Sequence, residues 1–170
     1  MEVYLPGTIE RTVHIPFQYI GENIKELLEK FLKKKYEGKC NVEGYIKKDT
    51  ITVINYSSGV LNGEAIDFVV IFDCLICTPV EGMTFKCVAD NITKAGVKAS
   101  IPGGDSPMTI FIVRDHHHLL KEFSSIQVGD TIEVRVIGHR YELNDKDISV
   151  IAEYIPSKKS VKQPKLVFKD

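Results

Sequence analysis

Pro79-Val80-Glu81-Gly82-Met83 opens the stretch whose reading decides the fold. The chain then alternates through Thr84-Phe85-Lys86-Cys87-Val88-Ala89-Asp90 and continues Lys94-Ala95-Gly96-Val97-Lys98-Ala99. Thr109-Ile110-Phe111-Ile112-Val113 follows, and the stretch closes on Val128-Gly129-Asp130-Thr131-Ile132-Glu133-Val134-Arg135-Val136-Ile137-Gly138. Short strands with glycines at their corners and no long helix predict a five-stranded barrel domain over residues 79–156. Closing so small a barrel demands sharp bends, and glycine supplies them without a clashing Cβ.

Working outward, residues 1–78 read as a second, different domain. Val3 to His14 is a first strand, interrupted near Pro6-Gly7. Ile24, Leu27, Leu28, Phe31 and Leu32 recur at i, i+3, i+4, i+7 and i+8, which predicts an amphipathic helix. Asn23 caps it with Glu26 three residues on, and Lys33, Lys34 and Lys35 sit where the helix dipole favours cations. Three strands follow: Gly38 to Lys47, Asp49 to Tyr56, and Ala65 to Cys77, the last long, apolar and therefore central. Ser57 to Glu64 reads as a flexible glycine-flanked loop with Val60 and Leu61 at its tip. An apolar tip suggests docking into a partner's pocket; the other reading is a hairpin that folds back on its own sheet.

Composition bounds the function. A chain of 170 residues with 44% hydrophobic content can build two packed cores. It has no apolar run long enough to cross a bilayer, its first residues lack the layout of a signal peptide, and four cysteines are few; an intracellular, reduced protein is expected. The net charge of −1 is uneven. Residues 1–77 carry nine Lys/Arg against eleven Asp/Glu, residues 78–156 eight against eleven, and residues 157–170 five Lys against Asp170. A barrel of net −3 is a weak trap for phosphates, whereas the tail from 157 to 170 is a separate basic segment. Five lysines there repel one another, and Leu166, Val167 and Phe168 are too few to make a core. The tail is expected to track phosphates or to add as a strand to a neighbouring sheet, and its loss to leave the stability of the free chain nearly unchanged.

No motif argues for an enzyme, and no catalytic residue, metal or cofactor is expected. Cys74-Leu75-Ile76-Cys77 lies on a strand, where i and i+3 face opposite ways and cannot chelate one ion. His116-His117-His118 reads as a polar loop after Arg114-Asp115, with one histidine available for a contact to RNA. Gly103-Gly104-Asp105-Ser106-Pro107 is a turn and not a phosphate loop. There is no G-x-S-x-G, no Walker loop and no H-E-x-x-H.

Gly82 before the first barrel strand, Lys94-Ala95-Gly96-Val97 in the second and Val128-Gly129-Asp130 before the fourth resemble the S1 variety of the OB fold, which most often handles single-stranded RNA. With both halves in view, the chain resembles the larger stalk subunit of multi-subunit DNA-directed RNA polymerase, the seventh subunit of the eukaryotic enzyme and its archaeal counterpart. The resemblance runs from Val3 to about Ile155. It rests on His14-Ile15-Pro16, the helix, Gly38-x-Cys40, the glycine loop 57–64, the strand into Thr78-Pro79-x-x-Gly82, and Val136-Ile137-Gly138-His139-Arg140. It implies an α+β protein: an N-terminal antiparallel sheet with one packed helix, RNP-like, then an S1-type OB barrel. It implies a non-catalytic subunit that docks on the polymerase core through Gly59, Val60, Leu61 and Asn62. A small helical stalk partner, of the eukaryotic fourth-subunit type or its archaeal counterpart, is implied too. So is weak contact with single-stranded nascent RNA through Lys86, Lys94, Lys98, Phe111, Arg114, Arg140 and Tyr141. Phe111 reads equally as a barrel core residue by strand alternation. Ala95 and Lys98 stand where typical S1 domains place aromatics, so RNA contact is expected to be auxiliary. Location follows the source: the nucleus for a eukaryotic copy; the cytoplasm, viral factory or virion for a viral one. The competing reading is a free-standing S1-domain RNA-binding factor in translation or RNA decay.

Overall fold

A computed structural model describes residues 3–103, 106–117, 121 and 123–156. The protein is mostly β, with one α-helix among the described residues and a closed five-stranded barrel. It divides into two compact units: Met1–Thr78 with Tyr141–Ile148, and Pro79–Arg140 with Ser149–Asp170. Residues 141–148, which fall inside the range read as the barrel domain, count with the first unit because hydrogen bonds tie them there. The Cys40 N–H donates to the Asp145 carbonyl at 2.7 Å and the Asn144 N–H to that of Cys40 at 2.9 Å. The Tyr141 hydroxyl donates to the Val42 carbonyl at 3.1 Å. The basic tail lies outside the described residues.

In the first unit β1 (Leu5–Pro16) and β6 (Ala65–Cys77) form a long antiparallel ladder from Leu5↔Ile76 to Pro16↔Ala65. The other edge of β6 is shared along its length by β3 (Gly44–Ile46), β4 (Thr52–Tyr56) and β5 (Val60–Asn62); β2 (Cys40–Asn41) pairs with β3. The apolar β6 is thus central, as its composition requires. Strand β1 is not broken at Pro6-Gly7, contrary to expectation. It is an edge strand, and on an edge a proline's missing N–H need cost no ladder bond. The segment read as one strand from Gly38 to Lys47 is instead the short β2–β3 hairpin.

The helix α1 (Ile24–Tyr36) starts as its sequence dictates. Asn23 Oδ1 accepts the Glu26 N–H at 3.3 Å, and the Asn23 amide donates back to the Glu26 carboxylate at 3.0 Å. Its buried Leu28 and Leu32 pack with Ile9, Val13 and Ile15 of β1 and with Phe68, Val70 and Phe72 of β6. Alternation leaves Asp67, Val69, Ile71 and Asp73 of β6 on the opposite face.

The second unit is a barrel of β7 (Thr84–Ile92), β8 (Gly96–Ser100), β9 (Met108–Val113), β10 (Thr131–Arg140) and β11 (Ile148–Ile155). The strands run around it in the order β10-β11-β9-β8-β7, and β7 closes onto β10. This order is compatible with an OB-like fold. Phe85, Cys87, Val97, Ile110, Ile112, Val134 and Val150 fill the interior. A Cβ at Gly96 would overlap the Ile112 carbonyl oxygen, so only glycine lets β8 approach β9 so closely there.

Candidate docking and nucleic-acid surfaces

The four tip residues lie on a hairpin and not in a flexible loop. Val60, Leu61 and Asn62 form β5, in register with Asp67, Ile66 and Ala65 of β6 across a turn at Gly63-Glu64. A side chain at Gly59 would strike Ile66 and the Phe68 ring, so the glycine seats this strand against the sheet. Val60 and Leu61 nonetheless stay 65% and 70% exposed. Being consecutive on a strand, they face opposite ways: Val60 shares a face with Asp67, Leu61 with Ile66. The Asn62 amide donates to Asp67 Oδ2 at 3.0 Å, and Asp67 Oδ1 pairs with His14 Nδ1 on β1. These contacts, the His14 hydrogen bond first, hold the Asp67 carboxyl below its ordinary range. No local pattern signals this Asn62–Asp67–His14 row, because its members come from three strands. Its effect is to fix the tip backbone while two apolar side chains face solvent.

Barrel residues read as an RNA face do not form one surface. Lys98 and Phe111 are cross-strand partners in the β8–β9 register. Phe111 is half-buried on the outer side of β9, where Ile110 and Ile112 point inward, which decides against the core reading. Lys94 lies in the β7–β8 turn and lines an open depression with Ile92, Thr93 and Arg114. Lys86 is distant from both. It stands opposite Glu133 in the β7–β10 register and five residues before Asn91, the partner of Lys98. Arg140 is exposed at the end of β10. Tyr141 belongs to the first unit, its hydroxyl engaged by Val42, and burial first of all pushes its phenol above the usual range.

Arg114 and His117 are built into the barrel. The Arg114 guanidinium donates to the Thr93 carbonyl at 3.1 Å and lies 5.4 Å from the centre of the Phe123 ring. His117 is buried, stacked on Phe123 at 4.8 Å between ring centres. Its Nδ1 faces the Val113 carbonyl at 2.7 Å, and its Nε2 accepts the Tyr154 N–H at 2.7 Å. One ring thereby joins the end of β9 to β11. Of the three histidines read as a polar loop, His117 is therefore a core bridge, His116 is exposed and His118 lies outside the described residues.

All four cysteines are free and buried. Desolvation first of all pushes the thiols of Cys40 and Cys74 to about 11 and those of Cys77 and Cys87 to about 12. Among the described residues no group of three His, Cys, Asp or Glu is placed to hold a metal ion, and no helix is long and apolar enough to cross a membrane.

No family model matches the chain. A protein of Acanthamoeba polyphaga mimivirus, named as a DNA-directed RNA polymerase subunit, is 30% identical over 167 residues, spanning 90% of this chain and 82% of its own. The solved structure of an uncharacterized protein of Methanocaldococcus jannaschii is 23% identical and covers 46% of this chain and 96% of its own; at a TM-score of 0.37 it carries no argument.

Proposed function

This chain belongs to the family of DNA-directed RNA polymerase subunits, and on that premise we propose that it is the larger stalk subunit of such an enzyme. In this reading it is non-catalytic and works with other polymerase subunits, the first unit docking on the core and the barrel contacting emerging RNA. The observation that carries the reading is the β5 hairpin: two large apolar side chains, 65% and 70% exposed, on a backbone fixed by ladder pairing and by the Asn62–Asp67–His14 row. Exposed apolar groups on a rigid support are what a docking surface needs, since little ordering cost remains on association. Gly59 seats the strand, Val60 and Leu61 enter the core subunits, and Asn62 holds the tip in place.

RNA contact is auxiliary in this proposal and centres on Lys98 with Phe111 and on Lys94. Lys86 and Arg140 add scattered charge, while Arg114 and Tyr141 serve mainly their own units. A small helical stalk partner completes the assembly. The mimivirus relative favours a viral copy that works where a viral polymerase assembles, in the cytoplasm, viral factory or virion. Affinity purification of the tagged chain from its source tests the reading. Catalytic polymerase subunits are expected in the eluate; their absence, with translation or decay factors in their place, overturns it.

A further inference from the structure

Strand β1 is twelve residues long, and among the described residues β6 is its one strand neighbour. A long edge invites another chain to pair with it, and here prolines stand only at its two ends, Pro6 and Pro16, with Glu10 and Arg11 the charged residues between them. Beside this edge lies a cavity of 320 Å³ between β1 and α1. Val13, Phe31, Leu32 and Tyr36 make its apolar floor, and Lys34 and Lys35 stand at its rim. Both lysines are exposed and make no ion pair among the described residues; Lys35 Nζ rests 5.4 Å from the centre of the Tyr36 ring. A strand laid along β1 would direct every second side chain toward the groove, because side chains alternate across a sheet.

We propose that the outer edge of β1 and the adjoining groove take up an extended, acidic segment of another polypeptide as an added strand. Main-chain hydrogen bonds to β1 hold the segment, and its apolar side chain fills the groove floor. Its carboxylates answer the two rim lysines, and this charge match selects an acidic occupant over a basic or neutral one. The inference rests on the subunit reading only for the assembly in which that segment is sought. It concerns an edge separate from the β5 tip.

The test is backbone hydrogen exchange of the full chain in three states: free, with a synthetic peptide alternating glutamate and valine, and in the assembled polymerase. A peptide with lysine in place of glutamate is the control. The outward-facing amides within Glu10–Ile15, every second one along the strand, are expected to exchange at least about tenfold more slowly with the acidic peptide and in the assembly, and unchanged with the control. Lys34→Glu with Lys35→Glu should abolish protection by the acidic peptide and lower the melting temperature only by the small loss of favourable charge at the C-terminus of α1, since both side chains are exposed. The proposal falls if these amides exchange at one rate in all three states. It falls also if α1 alone is protected, as by a docked helix, or if protection grows with chain concentration without partner, as in self-pairing. Protection in the assembly that survives the charge reversal overturns the acidic assignment. A chain that copurifies with polymerase yet leaves β1 unprotected overturns the strand proposal alone. A chain protected by the peptide that never copurifies overturns the subunit reading alone.

Discussion

The β5 hairpin and the outer face of β8–β9 are both short antiparallel pairings, and they offer solvent opposite chemistry. On the hairpin, adjacent Val60 and Leu61 are 65% and 70% exposed, with the uncharged Gly59 and Asn62 on either side. On the barrel, Lys98 has the half-buried Phe111 opposite, Lys94 stands by an Arg114 already bonded to Thr93, and Lys86 faces Glu133. Fully burying a Val or Leu side chain yields about 1.5–3 kcal/mol, whereas an exposed ion pair yields roughly 0–1 kcal/mol. In the proposed reading, binding energy is therefore unequally placed: attachment is concentrated on the tip, and the barrel offers a dispersed, screened attraction.

The largest expected effect comes from destroying the tip. Val60→Asp with Leu61→Asp should cost association about 4 kcal/mol or more, since two charges replace apolar side chains in a desolvated contact. Copurification with polymerase core subunits should drop about a thousandfold in affinity, while the melting temperature of the free chain falls only by the repulsion between the new carboxylate at position 60 and Asp67 opposite it, because neither side chain is buried. Wild-type recovery of the complex would move the docking surface elsewhere.

Next in size is a change that damages only the barrel. His117→Ala strands the Tyr154 N–H and the Val113 carbonyl and leaves a hole against Phe123. The loss expected in the barrel unit is about 3 kcal/mol, read by urea unfolding. If the tip carries attachment, this variant still copurifies with polymerase; its loss from the complex at folding temperatures would erase the contrast between the two regions.

The helix, the central strand and the barrel were legible because each has a local cause: the Asn23 cap with its i, i+3, i+4 series, the apolar run of β6, the glycine at position 96. The tip was half legible. Its residues stood out, but their pairing with Asp67, Ile66 and Ala65 depends on the seat that Gly59 finds against Ile66 and Phe68, a contact across the hairpin with no periodic signal. Fold-distant contacts were not legible. Nothing in a run of three histidines tells that one of them bridges Val113 and Tyr154, or that Tyr141 turns toward Val42. The unbroken course of β1 through Pro6 depended on its edge position, which is a property of the sheet.

A smaller effect separates the units by alkali. Three raised thiols, Cys40, Cys74 and Cys77, lie in the first unit and Cys87 in the barrel. A thiol whose folded pKa exceeds its unfolded value near 8.5 contributes stability that is whole below that value and is lost as pH rises toward the folded one. Each should therefore remove about 1.4 kcal/mol per pH unit above roughly pH 9. Cys87→Ala should lessen the pH slope of barrel stability by that amount, under reducing conditions, and leave the slope of the first unit alone. An unchanged barrel slope would mean that the Cys87 thiolate is tolerated in the folded barrel.

The smallest effect expected is on RNA, and it bears most directly on the contrast between tip and barrel. Counterion release makes the slope of log affinity against log salt track the number of phosphates neutralised. Lys94 and Lys98 lie at neighbouring places on β7–β8, whereas Lys86 is five residues along β7 and faces a carboxylate. The full chain should bind a single-stranded RNA of no special sequence weakly, with a slope on the order of −2 to −4. Lys98→Ala should flatten that slope by about 1, and Phe111→Ala should cost about 1 kcal/mol with the slope unchanged, because a stacked base responds to area and not to salt. These two variants share one cross-strand pair, so they separate charge from stacking at a single place. Tight, sequence-selective binding insensitive to both would shift the energetic weight from the tip to the barrel and favour an RNA-binding factor over a docked subunit.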